Sequence, residues 1–122
     1  MITKQNISRL VSENPQPFSG VRPAYLGDAP ARPASVLMLF ADGSQGLEVL
    51  LTKRARHSRI HAGQVSFPSG KPEANDDSPA ATALREAEEE TGLLAELVNI
   101  QGYLPPVLTN TNYMVDLTIG FC

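Results

Sequence analysis

The sequence has one cysteine, no tryptophan and no apolar run that approaches the roughly 20 residues a membrane-spanning helix needs. Cys122 is the final residue, so the chain cannot form an internal disulfide, and a reducing, cytoplasmic setting is predicted. The opening segment MITKQNISRL also lacks the apolar core of a signal peptide, which favours the same location.

The charges are few and unevenly placed. The net charge of −3 argues against a protein that coats nucleic acid. Cations crowd residues 53–59, and carboxylates follow at 73–77 and 86–90. Most charge runs are solvated surface, but these two clusters flank a Gly/Pro turn. That arrangement would suit a site for a metal-bound phosphate ester.

The 122 residues fit one domain. Residues 1–33 are interpreted as an N-terminal helix over 2–12 and an extended arm, and residues 34–122 as the main domain. Hydrophobic patterning predicts strands over 34–41, 47–52, 64–67, 97–104 and 113–121, with turns at Asp42-Gly43 and at 68–70. Pro105, Pro106 and residues 110–112 are expected in the connection between the last two strands. Strands on either side of a central helix predict an α/β sandwich or an α+β layer architecture.

The clearest predicted helix covers 79–91. Ser78 is its expected N-cap, Pro79 suits its first position, and Gly92 supplies the C-terminal stop. The last predicted strand runs into Cys122 without a closing turn, a pattern compatible with a natural end or with a shortened product.

Three glutamates on this helix are the first sign of chemistry. Residues three and four apart share a helix face, so Glu86, Glu89 and Glu90 should project together and repel one another. A hard divalent ion such as Mg²⁺ relieves that repulsion and prefers carboxylate and phosphate oxygens. The alternative is a solubilising helix face, and the wider spacing of the motif decides against it.

Residues 70–93, GKPEANDDSPAATALREAEEETGL, resemble the Nudix box. The half from Arg85 to Leu93 matches completely. The spacer from Gly70 to Arg85 is one residue longer than the common form, and Asp76 or Asp77 stands where glutamate is usual. The resemblance implies a Nudix fold, an α/β/α sandwich with a mixed sheet.

The preceding segments, LTKR at 51–54 and HAGQVSFPSG at 61–70, resemble the coenzyme A diphosphatase branch of that family. Ser69 replaces the first of two glycines usual there. Serine keeps its backbone carbonyl, which commonly ligates a metal in the family, but lacks the freedom of glycine at positive φ.

The resemblance implies roles for individual residues. Glu89 and Glu90 would be the principal ligands of Mg²⁺ or Mn²⁺, joined by the carbonyl of Ser69. Glu86 would be a third ligand or the base that activates water. Arg85 would orient a catalytic glutamate, with a surface salt bridge as the alternative. The implied catalytic set is therefore Glu86, Arg85 and Glu89.

Substrate contacts are expected from the basic segment. Arg54, Arg59 and His61 would hold phosphates, for which arginine has suitable bidentate geometry, and Gln64 would support the turn. Either histidine could instead be a locally bonded turn residue. Asp116, the only acid after Glu96, is interpreted as a strand-end residue rather than a loop acid at the site.

The sequence thus predicts hydrolysis of the diphosphate of coenzyme A or its derivatives to 3′,5′-ADP and a 4′-phosphopantetheine product. Two alternatives stay open: a Nudix hydrolase of ADP-ribose, a dinucleotide or a dNTP, and an impaired Nudix-like binding module. Expected partners are a nucleotide-containing small molecule and a second copy of the chain in a homodimer, with neither nucleic acid nor membrane.

Overall fold

A computed structural model of the chain describes residues 3–13, 25–26, 29–53 and 65–122. The elements in these ranges are, in order, α1 (Lys4–Glu13), β1 (Tyr25–Leu26), β2 (Ala29–Pro30), β3 (Arg32–Gly43), β4 (Gly46–Val49), β5 (Thr52–Lys53), β6 (Val65–Ser66), β7 (Ser69–Gly70), α2 (Pro79–Thr91), a 3-10 turn (Ala95–Leu97), β8 (Asn99–Leu108) and β9 (Tyr113–Phe121).

The central sheet is mixed and has the strand order β4-β3-β9-β8, with β7 pairing to β3 beside this path. Strands β3 and β9 are parallel, in a register that sets Arg32 opposite Tyr113 and Phe40 opposite Phe121. The pairs β3–β4, β3–β7 and β8–β9 are antiparallel. The short ladders β1–β2 and β5–β6 lie outside this sheet.

A helix packs on each face of the sheet. Alternate residues of a strand point to opposite faces, and β3 is apolar at nearly every position over 36–41. One face packs against α2 in a buried cluster of Leu37, Leu39, Ala83 and Ala87. The other meets α1 in a cluster of Ile7, Ile119 and Phe121, with Met38 and Phe40 beside it. The predicted α/β/α sandwich with a mixed sheet is confirmed.

Helix α2 has the predicted bounds and caps. The side chain of Ser78 accepts a hydrogen bond from the N–H of Ala81 at 3.1 Å, and Pro79 takes the first helical position. Gly92 adopts a left-handed φ of 78° and donates its N–H to the carbonyl of Glu88 at 2.8 Å. The helix that carries the acidic motif is therefore fixed at both ends by local sequence.

The first hairpin turns later than predicted. The pattern suggested Asp42 and Gly43 as the turn, but both residues pair within the β3–β4 ladder, where Gly43 faces Gly46. Ser44 and Gln45 make the turn, and Gly46 takes the positive φ of 121°. The predicted return strand over 47–52 is divided between β4 and β5.

The prediction that Pro105 and Pro106 lie in a connection was wrong. Both lie inside β8, which begins at Asn99 because a 3-10 turn precedes it. The register with β9 shifts between Leu104 and Val107, so the prolines occupy an irregularity of an outer strand. Proline donates no ladder hydrogen bond and is tolerated at such bulges.

The predicted boundary between residues 33 and 34 falls within β3, which starts at Arg32. Helix α1 covers Lys4–Glu13, against the predicted 2–12, and its Ile7 joins the core of the main sheet. Among the described helices, none combines the length and apolar character that crossing a bilayer requires.

Candidate active site

Strand β7 and helix α2 meet where Gly70 faces Glu86. Gly70 pairs with Ser35 of β3, and its backbone φ is not positive. A Cβ added at residue 70 would fall on the carboxyl end of the Glu86 side chain. The absence of a side chain at residue 70 therefore lets the Glu86 carboxylate lie against β7, and a larger residue there would displace that carboxylate.

Ser69 lies in a strand rather than in the predicted turn. It pairs with Val36 of β3, and among the described non-glycine residues only Asn112 has a positive φ. The extended backbone at residue 69 imposes no requirement for glycine, so the Ser69 departure from the usual pattern costs no conformational strain here.

Arg85 organises the acidic residues around this contact. Its Nη1 donates to Oε1 of Glu86 at 3.0 Å and to Oε1 of Glu89 at 3.2 Å. Its Nη2 donates to the carbonyl of Lys71 at 2.9 Å. The guanidinium thus ties the loop after β7 to two of the three glutamates predicted to share the helix face.

Arg85 also bonds Asp76, and its Nη1 lies 3.5 Å from Oε1 of Glu73. Nε donates to Oδ1 and Oδ2 of Asp76 at 3.0 and 3.2 Å, and Nη2 donates to Oδ2 at 2.9 Å. The Asp76 side chain is only 6% exposed, whereas Asp77 is exposed. Of the two acids that the sequence left open, Asp76 is the one that bonds Arg85.

Two further donors complete the environment of Asp76. The hydroxyl of Thr82 donates to Oδ2 at 2.9 Å, and so does the backbone N–H of Glu73. The Arg85 hydrogen bonds, supported by the Glu73 N–H, hold the pKa of Asp76 well below its usual range. Asp76 in turn raises the pKa of Arg85 above its ordinary value, so both groups stay charged.

The carboxylate oxygens of Glu86 and Glu89 are of the chemical type that binds hard divalent cations. Both carboxylates reach the same nitrogen of Arg85, Glu86 being 18% and Glu89 56% exposed. Carboxylate oxygens are the ligands that Mg²⁺ and Mn²⁺ prefer. In the described part of the chain, however, no three acidic, histidine or cysteine side chains are grouped closely enough to hold a metal. Glu90 is exposed and takes part in a further interaction.

The residues predicted to bind substrate, namely Arg54, Arg59, His61 and Gln64, lie outside the described residues. The chain on either side of them is ordered into a ladder, in which Thr52 pairs with Ser66 and Lys53 with Val65. Their roles stay predictions.

Asp116 is a strand residue, as interpreted, and not a loop acid, but it does not lie at a strand end. Asp116 lies inside β9, opposite Ser35 of β3. It is half-buried and takes part in a further interaction.

Two contributors were missed by the sequence analysis. Thr82 looked like an ordinary helix residue, yet its buried hydroxyl bonds Asp76. Its spacing of three residues before Arg85 would have placed both on one face of α2. The contribution of Lys71 is its backbone carbonyl, for which no sequence signal exists.

The site and the fold agree with a family assignment. The profile of the NUDIX domain matches residues 30–116, which is most of the chain. The chain belongs to the Nudix family. It is 38% identical over 124 aligned residues to the uncharacterised Nudix hydrolase NudL of Yersinia pestis (strain Pestoides F), covering 98% of this chain and 62% of the relative. NudL of Yersinia pseudotuberculosis serotype O:1b gives the same figures.

Solved structures show the same fold. The Nudix hydrolase RenU from M. smegmatis superposes with a TM-score of 0.60 and 25% identity, over 74% of this chain and 60% of that one. The C. elegans Ap4A hydrolase gives a TM-score of 0.56 and 19% identity, over 75% and 67% of the two chains. The NUDIX domain of Shewanella oneidensis NrtR, complexed with ADP-ribose, gives 0.55 and 18%, over 99% and 70%.

Proposed function

We propose that the chain supplies the hydrolytic site of a metal-dependent Nudix hydrolase that cleaves the diphosphate linkage of coenzyme A or its derivatives. The products would be 3′,5′-ADP and a 4′-phosphopantetheine compound. The chain spans 62% of the length of the curated relatives, so the activity of the whole protein is part of this proposal.

One contact carries the proposal. Glu86 is held between the glycine of β7 and the guanidinium of Arg85, and Arg85 is itself anchored by Asp76. A carboxylate fixed in this way can accept a proton from an attacking water or hold a ligand position without reorganising. Arg85 is a positioning residue in this scheme, because its donors are occupied by protein oxygens.

Members of the Nudix family generally use divalent cations. Glu86, Glu89, Glu90 and the carbonyl of Ser69 would hold Mg²⁺ or Mn²⁺ here. When bound, the ion would neutralise charge on the diphosphate and favour ionisation of the attacking water. Because Glu86 and Glu89 both contact Arg85, their carboxylates lie beside one guanidinium, next to the contact between Glu86 and Gly70.

The coenzyme A assignment is supported by the segment before the box. That segment resembles the coenzyme A diphosphatase branch in sequence, and its described residues, 52–53 and 65–66, pair in the β5–β6 ladder. Arg54 and Arg59 lie outside the described residues, and their contact with the substrate is part of this proposal. The cytoplasmic location and the homodimer stay predictions.

The test is a substrate panel with the full chain in Mg²⁺ and in Mn²⁺. Coenzyme A should be cleaved to 3′,5′-ADP, identified by chromatography, with higher kcat/KM than ADP-ribose, a dinucleotide or dNTPs. Glu89→Gln is the inactive control. Faster cleavage of ADP-ribose would replace the substrate assignment, and cleavage of none would leave the binding-module alternative.

A further inference from the structure

A pocket of about 550 Å³ opens beside the Gly70 end of the site. Its floor is the parallel pair of β3 and β9, which contributes Ala34, Val36 and Val115. Ser69 and Gly70 form one wall and the β8–β9 turn another. The volume lies within the range of small-molecule sites, and the wall at Gly70 adjoins Glu86.

The pocket is cationic although the chain is acidic overall. Among the described residues that line it are Arg32 and Lys71, and none of those residues is a carboxylate. The Arg32 guanidinium lies 4.2 Å, and the Lys71 ammonium 6.0 Å, from the centroid of the Tyr113 ring. Two like charges are therefore gathered at one aromatic ring without an acidic partner in the described lining.

Both cations are positioned by the fold. The Nη2 of Arg32 donates to the carbonyl of Thr111 at 2.9 Å, which leaves further donors of the five on the guanidinium. The backbone carbonyl of Lys71 accepts from Arg85 at 2.9 Å while its side chain points to Tyr113. Lys71 thus contacts Arg85 through its backbone carbonyl and lines the pocket, so one residue joins the glutamate site to the pocket.

We propose that the pocket of Arg32, Lys71 and Tyr113 binds a phosphate monoester of the nucleotide substrate, separate from the diphosphate that is cut. This inference rests on the proposed function, since it extends the same site. A dianionic phosphate offsets the repulsion between the two cations and accepts charge-assisted hydrogen bonds from both.

The position of the pocket favours a phosphate other than the scissile ones. The diphosphate belongs at Glu86 and Glu89, on the side of Gly70 that faces α2. Alternate residues of a strand point to the same face, so residues 32, 34 and 36 share the face of Met38 and Phe40, which pack beside α1. A ligand in the pocket therefore lies on the opposite face of β3, reached past the edge formed by β7. A substrate that spans both positions carries phosphate at two separate places.

The test is isothermal titration of the full chain with 3′,5′-ADP and with 5′-AMP, in EDTA so that no metal contributes. These ligands differ only in the 3′-phosphate. Wild type should bind 3′,5′-ADP about ten- to a hundredfold more tightly. Arg32→Ala and Lys71→Ala should each reduce this preference to a few-fold, and Lys71→Arg should retain most of it. Melting curves identify any variant that fails to fold.

Lys4→Ala is the matched control. The Lys4 ammonium also lies over an aromatic ring, 5.3 Å from the centroid of Phe121, but outside the pocket. It should keep the wild-type preference. Equal affinity of wild type for the two nucleotides would overturn the proposal, as would an equal loss in Lys4→Ala and Lys71→Ala, which would reduce the effect to net charge.

The two proposals fail separately. Cleavage of a diphosphate substrate by a chain that ignores the 3′-phosphate would refute the pocket and keep the hydrolase. The chain could instead cleave no diphosphate with Mg²⁺ or Mn²⁺ and still show a 3′-phosphate preference that depends on Arg32. That result would refute the hydrolase and keep the pocket.

Discussion

Arg85 and Asp76, nine positions apart, are joined through three N–H···O contacts of 2.9–3.2 Å. The pair closes the loop between β7 and α2 onto the helix. The carbonyl of Lys71 and the N–H of Glu73 are held by the same two side chains. The loop that contains the longer spacer is therefore bonded to the same arginine that contacts Glu86 and Glu89.

Asp76→Asn should lower both the melting temperature and turnover. The neutral amide cannot replace the charge-assisted bonds to Arg85, so the loop and Glu86 both lose their anchor. We expect a fall of several degrees in thermal unfolding followed by circular dichroism. Asp77→Asn, an exposed neighbour, should melt like wild type. Identical melting of the two variants would contradict the assigned role of Asp76.

The same pair predicts a pH dependence of stability. Because the folded pKa of Asp76 is depressed, the unfolded chain binds more protons in the acid range, and stability rises with pH there. The stabilisation by Asp76 is complete above its unfolded pKa, about 3.9, and is lost as the pH falls through the lower folded value. The difference in melting temperature between wild type and Asp76→Asn should therefore be constant from about pH 5 upward, which is roughly one unit above the unfolded pKa. In more acid buffer the difference should shrink. A difference that grows on acidification would show the wrong sign.

Gly70→Ala and Gly92→Ala should separate activity from stability. The first places a methyl group on the Glu86 side chain, so turnover should drop sharply as the carboxylate is displaced. The second meets no atom within 4 Å but forces alanine to a φ of 78°, which costs about 1–2 kcal/mol. Gly92→Ala should therefore melt earlier with kcat nearly intact. Equal losses of kcat in both variants would contradict the Gly70–Glu86 relationship.

Glu89→Gln should lower kcat by at least about a hundredfold, because removing a metal ligand weakens charge stabilisation of several kcal/mol. Glu88→Gln is the control, since Glu88 is an exposed acid on the same helix and outside the implied ligand set. Steady-state rates at saturating Mg²⁺ make the comparison. A near-wild-type rate for Glu89→Gln would remove it from the ligand set.

Millimolar Mg²⁺ or Mn²⁺ should raise the melting temperature, because an ion that binds only the native chain stabilises it by mass action. EDTA should reverse the shift, and Glu89→Gln should reduce it. The absence of any shift, together with no heat of binding, would contradict a metal site at these glutamates.

Local signals explain what the sequence could predict. Helix α2 is specified by residues adjacent to it: Ser78 caps it, Pro79 starts it and Gly92 ends it. The spacing of Glu86 and Glu89 on that helix placed both at one guanidinium. Buried strands such as β3 followed from continuous apolar runs, with ends displaced by about two residues.

What depends on distant parts of the chain could not be predicted. Prolines normally interrupt strands, and only the bulged pairing with β9 admits Pro105 and Pro106 into β8. Arg32 and Lys71 look like isolated surface cations until the parallel register sets Tyr113 opposite Arg32, with the Lys71 ammonium 6.0 Å from the centroid of the same ring. No local pattern contains that register.

The parallel pairing of β3 with β9 also bears on the order in which the protein folds. The contact between Arg32 and Thr111 joins positions 79 apart, so the intervening chain must lose its freedom before the contact forms. The helix and the Arg85–Asp76 loop are local and need no such closure. Folding should therefore assemble the acidic half first and the cationic pocket only when β9 docks, at the slower pace of long-range pairing. Affinity for a ligand in that pocket would then report the final step of folding as well as recognition.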